Sequence, residues 1–464
     1  MKPQETFSNL TIANSAQQMK SSEQFWKHFS TSIWEKETLA IKNSFINPPI
    51  TADELFSIVV NDFNIDDKYL VSKRFYLQGK EQQLEDSDYY PKPEDRSFVS
   101  YDRRIKSVCD NQEYVLIIDG LLVNSPLWDW TYEFLQNLYN SLGYLNCDHY
   151  YSIFYGNYSK TPFGVHDHNY PGEPAQSAFY FPIQGSKSMR TWKPEFVNRN
   201  KKLKGSTQYE EFIEDSTLLE AESGGIIYWP SDRWHIGDSK GGDVSLVIAI
   251  NNSNNFVEPI AYLLREEINK ISGNSLKKYF LEKIGEFIVN SSKRKGKKRA
   301  IFDPNNMQKS AEIIPDVIQL DGKIFKYFLG SSIVELACTK LWLSMLTGFG
   351  FQLLIPNQFL EADSNKLMID DYIKVSNNRQ ILWKKVGKDK IAIAVNGIAT
   401  VVPLYRNVEM LIKTINSGAV QSVKKILEDS KSLVNQDDLR EYSAEGILAL
   451  LNTLLGNGGV KIVK

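Results

Sequence analysis

The sequence predicts an α+β protein in which a β-rich barrel or sandwich sits between helical segments. Three observations carry this. Between about residues 95 and 255, short runs rich in β-branched and aromatic residues are split by Gly, Pro, Asn and Asp, as in an all-β sandwich or barrel. Helical periodicity precedes and follows those runs. The C-terminal end then returns to a short alternating run, helices and a last β element. A chain of 464 residues exceeds one ordinary core, so two or three domains are expected.

Residues 1–90 read as a helical region, with amphipathic segments at Phe25–Trp34 and Ala52–Phe63 and no visible chemistry. Residues 91–255 hold the β-rich runs YVLIIDGLLV, YYSIFYGNYS, SAFYFPIQGSKSMRTW, GGIIYWP and DVSLVIAINN. Residues 256–371 return to helices in IAYLLREEINKI and LKKYFLEKIGEFIV, then pass through SSKRKGKKRA, where six of ten residues are Lys or Arg. That run, 293–299, reads either as a solvated linker or as a contact for RNA, a ribosome or another acidic partner.

The apolar stretch Val334–Ile355 follows. It contains Glu335 and Lys340, and its uncharged part is shorter than the ~20 residues of a bilayer span, so it reads as buried helix. Residues 372–464 place IAIAVNGIATVV (391–402) before helices at VEMLIKTINS and SAEGILALLNTLL and a terminal β element at Val460–Val463, a winged-helix-like order.

Composition narrows the function classes. The chain is 42% hydrophobic, 24% charged and 12% aromatic, as in a soluble globular protein, and its net charge of -2 excludes a globally basic nucleic-acid binder. Cys109, Cys147 and Cys338 are odd in number and widely spaced, which indicates neither a disulfide framework nor a thiolate zinc site and fits a reducing cytoplasm. The N-terminus MKPQETFSNLTIANSAQQ lacks the charged start and apolar core of a signal peptide.

The chain has five histidines, and three of them fall in the β-rich segment: His166 and His168 in TPFGVHDHNY, and His235 in YWPSDRWHIGDS. In an extended strand alternate side chains share a face, so His166 and His168 point one way and Asp167 the other. Such a pair can grip one ion, and a third ligand from a later strand leaves coordination positions open for substrate or oxygen. His235 is the candidate third ligand, while the isolated His28 and His149 read as structural.

This arrangement resembles the JmjC and cupin-like Fe(II)/2-oxoglutarate hydroxylases, in which an H-x-D or H-x-E pair meets a distal histidine. FPIQGSKSMRTW supplies Gly185 and Lys187 where that family places a basic residue, and GGIIYWPSDRWH has Pro230, Trp234 and His235 in the family's order. The resemblance implies a double-stranded β-helix (cupin/JmjC) barrel over residues 91–255. It further implies Fe(II) on His166, His168 and His235, and 2-oxoglutarate with its far carboxylate on Lys187. Asn251, Tyr151 and Thr161 would line the cosubstrate pocket. The activity implied is hydroxylation of a protein or peptide side chain.

The sequence departs from that family in two places. His168 stands where the family carries Asp or Glu, so either the site uses three histidines, as in some thiol-oxidising cupins, or Asp167 turns inward through a bulge and restores a carboxylate. The segment NYPGEPAQS lengthens the connection from His166 to Lys187 and offers Glu173 as an unusual ligand or the loop as part of the substrate site. Two further readings therefore stand beside the hydroxylase: a cosubstrate-independent three-histidine dioxygenase, and a non-catalytic cupin used for peptide binding.

A cupin barrel, a helical block and a winged helix in that order resemble the ribosomal oxygenases, a JmjC subgroup. The resemblance implies a ribosomal protein as substrate, beside which a natural-product precursor peptide fits the composition equally, and a homodimer through helices around 325–355. The C-terminal helices lack the Arg and Lys cluster that phosphate contacts require, so peptide or structural use is expected there.

Overall fold

The computed structural model describes residues 23–42, 50–62, 72–82, 87–119, 125–144, 149–169, 175–251, 256–269, 305–326, 331–348, 366–376, 380–404, 406–432 and 444–463, with single positions between 278 and 303. The basic run 293–299, Cys147 and Glu173 lie outside the described residues. The chain divides into two compact units: Met1–Leu121 with Asp129–Ser141 and Tyr150–Asn251, and Leu122–Trp128 with Leu142–His149 and Asn252–Lys464.

The strands of the first unit are β1 (Leu39–Ile41), β2 (Ser72–Leu77), β3 (Lys80–Gln82), β4 (Tyr114–Asp119), β5 (His149–Asn157), β6 (Gln176–Gln184), β7 (Ser186–Trp192), β8 (Thr217–Glu222), β9 (Ile226–Trp229), β10 (Trp234–Ser239) and β11 (Asp243–Asn251). Eight of them form one sheet in the order β1-β9-β6-β11-β5-β4-β2-β3, and three form a second in the order β10-β7-β8. Alternation along β6 shows how the layers are built. Ala178 and Tyr180 face an inter-sheet cluster with Met189, Leu219, Ala221, Ile227, Trp229 and Val247. Phe179 and Phe181 point the other way, onto Phe134 and Trp130 of the helix Ser125–Leu142. Both faces of β6 are thus covered, which is why SAFYFPI reads as a continuous apolar run.

The expected double-stranded β-helix barrel is corrected here to an open two-sheet arrangement within an α+β fold. Neither sheet closes: β1 and β3 are edges of the large one, β10 and β8 of the small one. Between the loop before β6 and the β10 edge the described residues form isolated bridges, Lys160↔Asp238 and His166↔His235, and no ladder. A barrel needs a continuous ladder around its circumference, whereas inward-outward alternation is the same in a barrel and a sandwich. The strand pattern therefore could not separate the two.

The helix Phe98–Val108 lies on the far face of the large sheet, its first turn capped by the Ser97 hydroxyl, which accepts the Ser100 N–H at 3.2 Å. Tyr155 on β5 donates its hydroxyl to the Phe98 carbonyl at 2.7 Å and packs on Phe98 and Tyr101.

In the second unit, the helix Ser331–Gly348 carries the apolar stretch, and its buried Lys340 lies 3.1 Å from both Glu266 and Glu267 of the helix Val257–Asn269. Among the described residues no helix is long and apolar enough to cross a membrane. Further strands are β12 (Tyr372–Val375), β13 (Leu382–Val386), β14 (Lys390–Val395), β15 (Ile398–Pro403), β16 (Gln421–Ser422) and β17 (Val460–Val463), in sheets ordered β16-β12-β17 and β13-β14-β15. Asn396 and Gly397 both take positive φ, 51° and 82°, which fits the two-residue turn pairing Val395 with Ile398. Ile373, Ile391, Ile393, Ile412, Leu451 and Leu454 are central to the apolar core these sheets share with the helices Arg406–Asn416, Val423–Ser432 and Ala444–Gly456.

Candidate metal centre

β10 and β7 pair with His235 opposite Thr191, Gly237 opposite Met189 and Ser239 opposite Lys187. Trp234 and Ile236 point outward, into a cluster with Trp192, Val197, Leu203, Tyr209 and Phe212. By alternation His235, Gly237, Met189 and Lys187 face inward, towards the inter-sheet side. Val165 joins the outer cluster, so the next residue, His166, turns inward as well. His166 and His235 are bound backbone to backbone in both directions, at 3.1 and 2.7 Å.

The ring nitrogens of His166, His168 and His235 lie within 4.8 Å of one another, and this is the one group of potential metal ligands found among the described residues. Ring centroids are 4.4 Å apart for His166–His235, 4.7 Å for His168–His235 and 5.3 Å for His166–His168. Asp167 is not part of the group, so no carboxylate joins the three imidazoles.

The tautomers are set by backbone carbonyls. His166 Nδ1 donates to the Gly164 carbonyl at 2.9 Å and His235 Nδ1 to the Arg233 carbonyl at 3.0 Å, which leaves each Nε2 lone pair free for a ligand. His168 Nδ1 is buried without a hydrogen-bond partner. Leaving a buried polar nitrogen unsatisfied costs about 1–3 kcal/mol, which a bound cation in this cluster would offset.

Burial lowers the pKa of all three rings, that of His168 to about 3, with the neighbouring imidazoles adding to the effect on His168 and His235. The rings are therefore neutral donors at ordinary pH, the form a metal requires. By the chemistry of the donor set and by the orphaned nitrogen, the residues fit a divalent transition metal.

Gly164 is built into this arrangement. Its φ is +67°, and a Cβ there would stand 2.3 Å from the Gly205 carbonyl oxygen. Gly164→Ala is expected to lower stability by about 1–3 kcal/mol and to weaken Co(II) binding by about tenfold or more, because the acceptor of His166 moves. Thermal unfolding and Co(II) titration check this; unchanged Co(II) affinity would show that the carbonyl does not orient the ring.

Of the residues expected around 2-oxoglutarate, Lys187 already faces a carboxylate of its own chain. Lys187 is buried, its ammonium 3.5 Å from Asp243 Oδ2, hydrogen-bonded to the Tyr158 hydroxyl and 4.3 Å from the Tyr158 ring centroid. Burial lowers its pKa and the Asp243 carboxylate opposes that. Thr161 accepts the Gly237 N–H on its hydroxyl at 3.2 Å. Tyr151 is buried, its hydroxyl paired with Thr131 of the helix Ser125–Leu142. The side chain of Asn251 lies outside the described residues.

Two expectations are overturned here. The Fe(II)/2-oxoglutarate hydroxylase reading and its cofactor pair, Fe(II) with 2-oxoglutarate, call for two histidines and one carboxylate, and the cluster offers three histidines. The cation meant for the cosubstrate, Lys187, already has a carboxylate of its own chain beside it.

Sequence reasoning did not find Asp243, Tyr158, Gly237 or Arg233. Gly237 sits where a Cβ would be 3.0 Å from Thr161 Cγ2 and 3.4 Å from Lys187 Cε, so the absent side chain lets Thr161 and Lys187 approach the strand. A glycine inside a strand run is the one signal that pointed to it.

The fold and site together define an α+β protein with a three-histidine candidate metal centre between two antiparallel sheets. Neither a protein-family profile nor a curated protein matches the sequence. In structure the chain is similar to YcfD of Escherichia coli, described as a ribosomal oxygenase. One YcfD structure gives 14% identity and a TM-score of 0.42 over 94% of this chain and 98% of that one. A second, in complex with cobalt and 2-oxoglutarate, gives 14% and 0.43 over 95% and 98%. A third, with cobalt and succinic acid, gives 13% and 0.39 over the same shares. Agreement at that level is one of approximate chain course, and the chemistry of the centre rests on its own residues.

Proposed function

We propose that this protein is a metal-dependent dioxygenase of the three-histidine type, working without 2-oxoglutarate. The observation that carries the reading is the convergence of His166, His168 and His235, all neutral and with no carboxylate among them. When bound there, an iron(II) ion would supply the redox chemistry that activates dioxygen.

The chain's own residues have three tasks. The Gly164 and Arg233 carbonyls hold two rings in the tautomer that presents Nε2. The inter-sheet cluster around Met189 and Trp229, with Trp229 4.8 Å from the His235 ring, excludes water from one side of the centre. Neutral donors leave the full charge of a divalent ion in place, which favours an anionic group of the substrate at the open positions. The substrate class proposed is a protein or peptide side chain, as the sequence resemblance implies.

The test is anaerobic titration with Fe(II), followed by nitric oxide as a dioxygen surrogate. One Fe(II) per chain is expected, with an electron-paramagnetic signal of the nitrosyl that is unaltered by 2-oxoglutarate and lost in His235→Ala. A visible charge-transfer band appearing with 2-oxoglutarate, or no iron uptake at all, would overturn the reading.

A further inference from the structure

We infer that Glu35, in an N-terminal segment with no visible chemistry of its own, is a positioning residue for His235; this rests on the metal-centre reading above. Glu35 follows the short helical turn Phe29–Ile33 and takes φ +55°, a conformation few non-glycine residues adopt without a compensating contact. The contacts are on the page. Its carboxylate accepts the hydroxyls of Ser177 on β6 and Ser231 in the turn before β10, the Ser231 N–H at 3.3 Å and the Tyr228 hydroxyl at 3.5 Å. Its own N–H donates to the Tyr228 oxygen at 3.0 Å. The preceding Trp34 is buried and stacks on Phe179 and Tyr228, which fixes where Glu35 starts.

The next residue continues the clamp. The Lys36 carbonyl accepts Arg233 Nη2 at 2.7 Å, and Arg233 is itself buried. The Arg233 N–H closes a turn onto the Pro230 carbonyl at 3.1 Å, and the Arg233 carbonyl accepts His235 Nδ1. Residues 35 and 36 therefore hold both ends of the turn 230–233, and that turn holds the imidazole. Outer partners of this kind orient metal-binding histidines and set their basicity. A carboxylate is needed because one neutral acceptor oxygen cannot take three hydroxyls and a backbone N–H together.

The experiment compares Co(II) titrations and the Co(II) ligand-field spectrum of the wild-type chain, Glu35→Ala and Glu35→Gln, with circular dichroism of each metal-free protein. Glu35→Ala is expected to bind Co(II) about 10- to 100-fold more weakly with an altered spectrum, and Glu35→Gln to fall between it and wild type. Should Glu35→Ala fail to fold, Ser231→Ala, which removes one arm of the clamp, is read in its place and is expected to shift the spectrum in the same sense. Wild-type uptake of Co(II) with unchanged affinity and spectrum in the folded variants overturns this inference alone. No uptake by the wild-type chain overturns the metal-centre reading and this inference with it.

Discussion

Replacing Lys187 with Met is expected to destabilise the protein by about 3–5 kcal/mol, because Asp243 is left as an uncompensated buried charge. Both side chains are almost wholly enclosed, at 0% and 2% exposure, so water cannot take over the role of the ammonium. The Ser239 and Ser245 hydroxyls remain on Asp243 but carry no charge. The double variant Lys187→Met, Asp243→Leu is expected to recover most of the loss, since a buried pair exchanged for apolar side chains of similar volume is often near neutral. Urea-unfolding midpoints measure both. A Lys187→Met protein within about 1 kcal/mol of wild type would mean that the ion pair is not buried as described. The same variant should keep its Fe(II) binding, because Lys187 stands four positions along the strand pairing from His235, Ser239↔Lys187 against His235↔Thr191.

The metal-free protein is expected to lose stability steeply on mild acidification. In the unfolded chain a histidine titrates near pH ~6.5, whereas burial holds His168 neutral down to about pH 3 and lowers His166 and His235 in the same direction. Below pH ~6.5 the unfolded chain takes up protons that the folded one refuses, so this contribution is complete above that pH and falls as pH drops towards the folded value. Each such group adds a slope of up to about 1.4 kcal/mol per pH unit. His168→Gln removes one group, and between pH 6 and pH 4 its unfolding free energy should fall less steeply than that of the wild type. Parallel lines for the two proteins over that interval would show that His168 is accessible to protons in the folded state.

The sequence shows part of this plainly and the rest not at all. His166 and His168 are legible as a pair from their two-residue spacing, and His235 through the resemblance, because the resembled family sets its distal histidine after a strand, a proline and a tryptophan. Closure of the sheets is illegible, since it depends on which edge strands pair, and β1, β3, β8 and β10 look no different from strands of a barrel. The partner of Lys187 is hidden for a related reason. Its neutralising carboxylate comes from Asp243 on another sheet, and no local pattern announces a charge pair between residues so far apart in sequence. Glu35 is hidden more deeply, in a segment whose periodicity speaks only of packing.

The mutual backbone bonds between His166 and His235 give the centre an unequal mechanics. Two of its three rings are mounted on one clip, so their separation is a property of the main chain and scarcely adjustable. His168, two residues beyond the clip, is held at its main chain by the Gln176 N–H and has no hydrogen-bond partner on Nδ1. The ring without a hydrogen bond of its own is thus the one at the position where the resembled family carries a carboxylate.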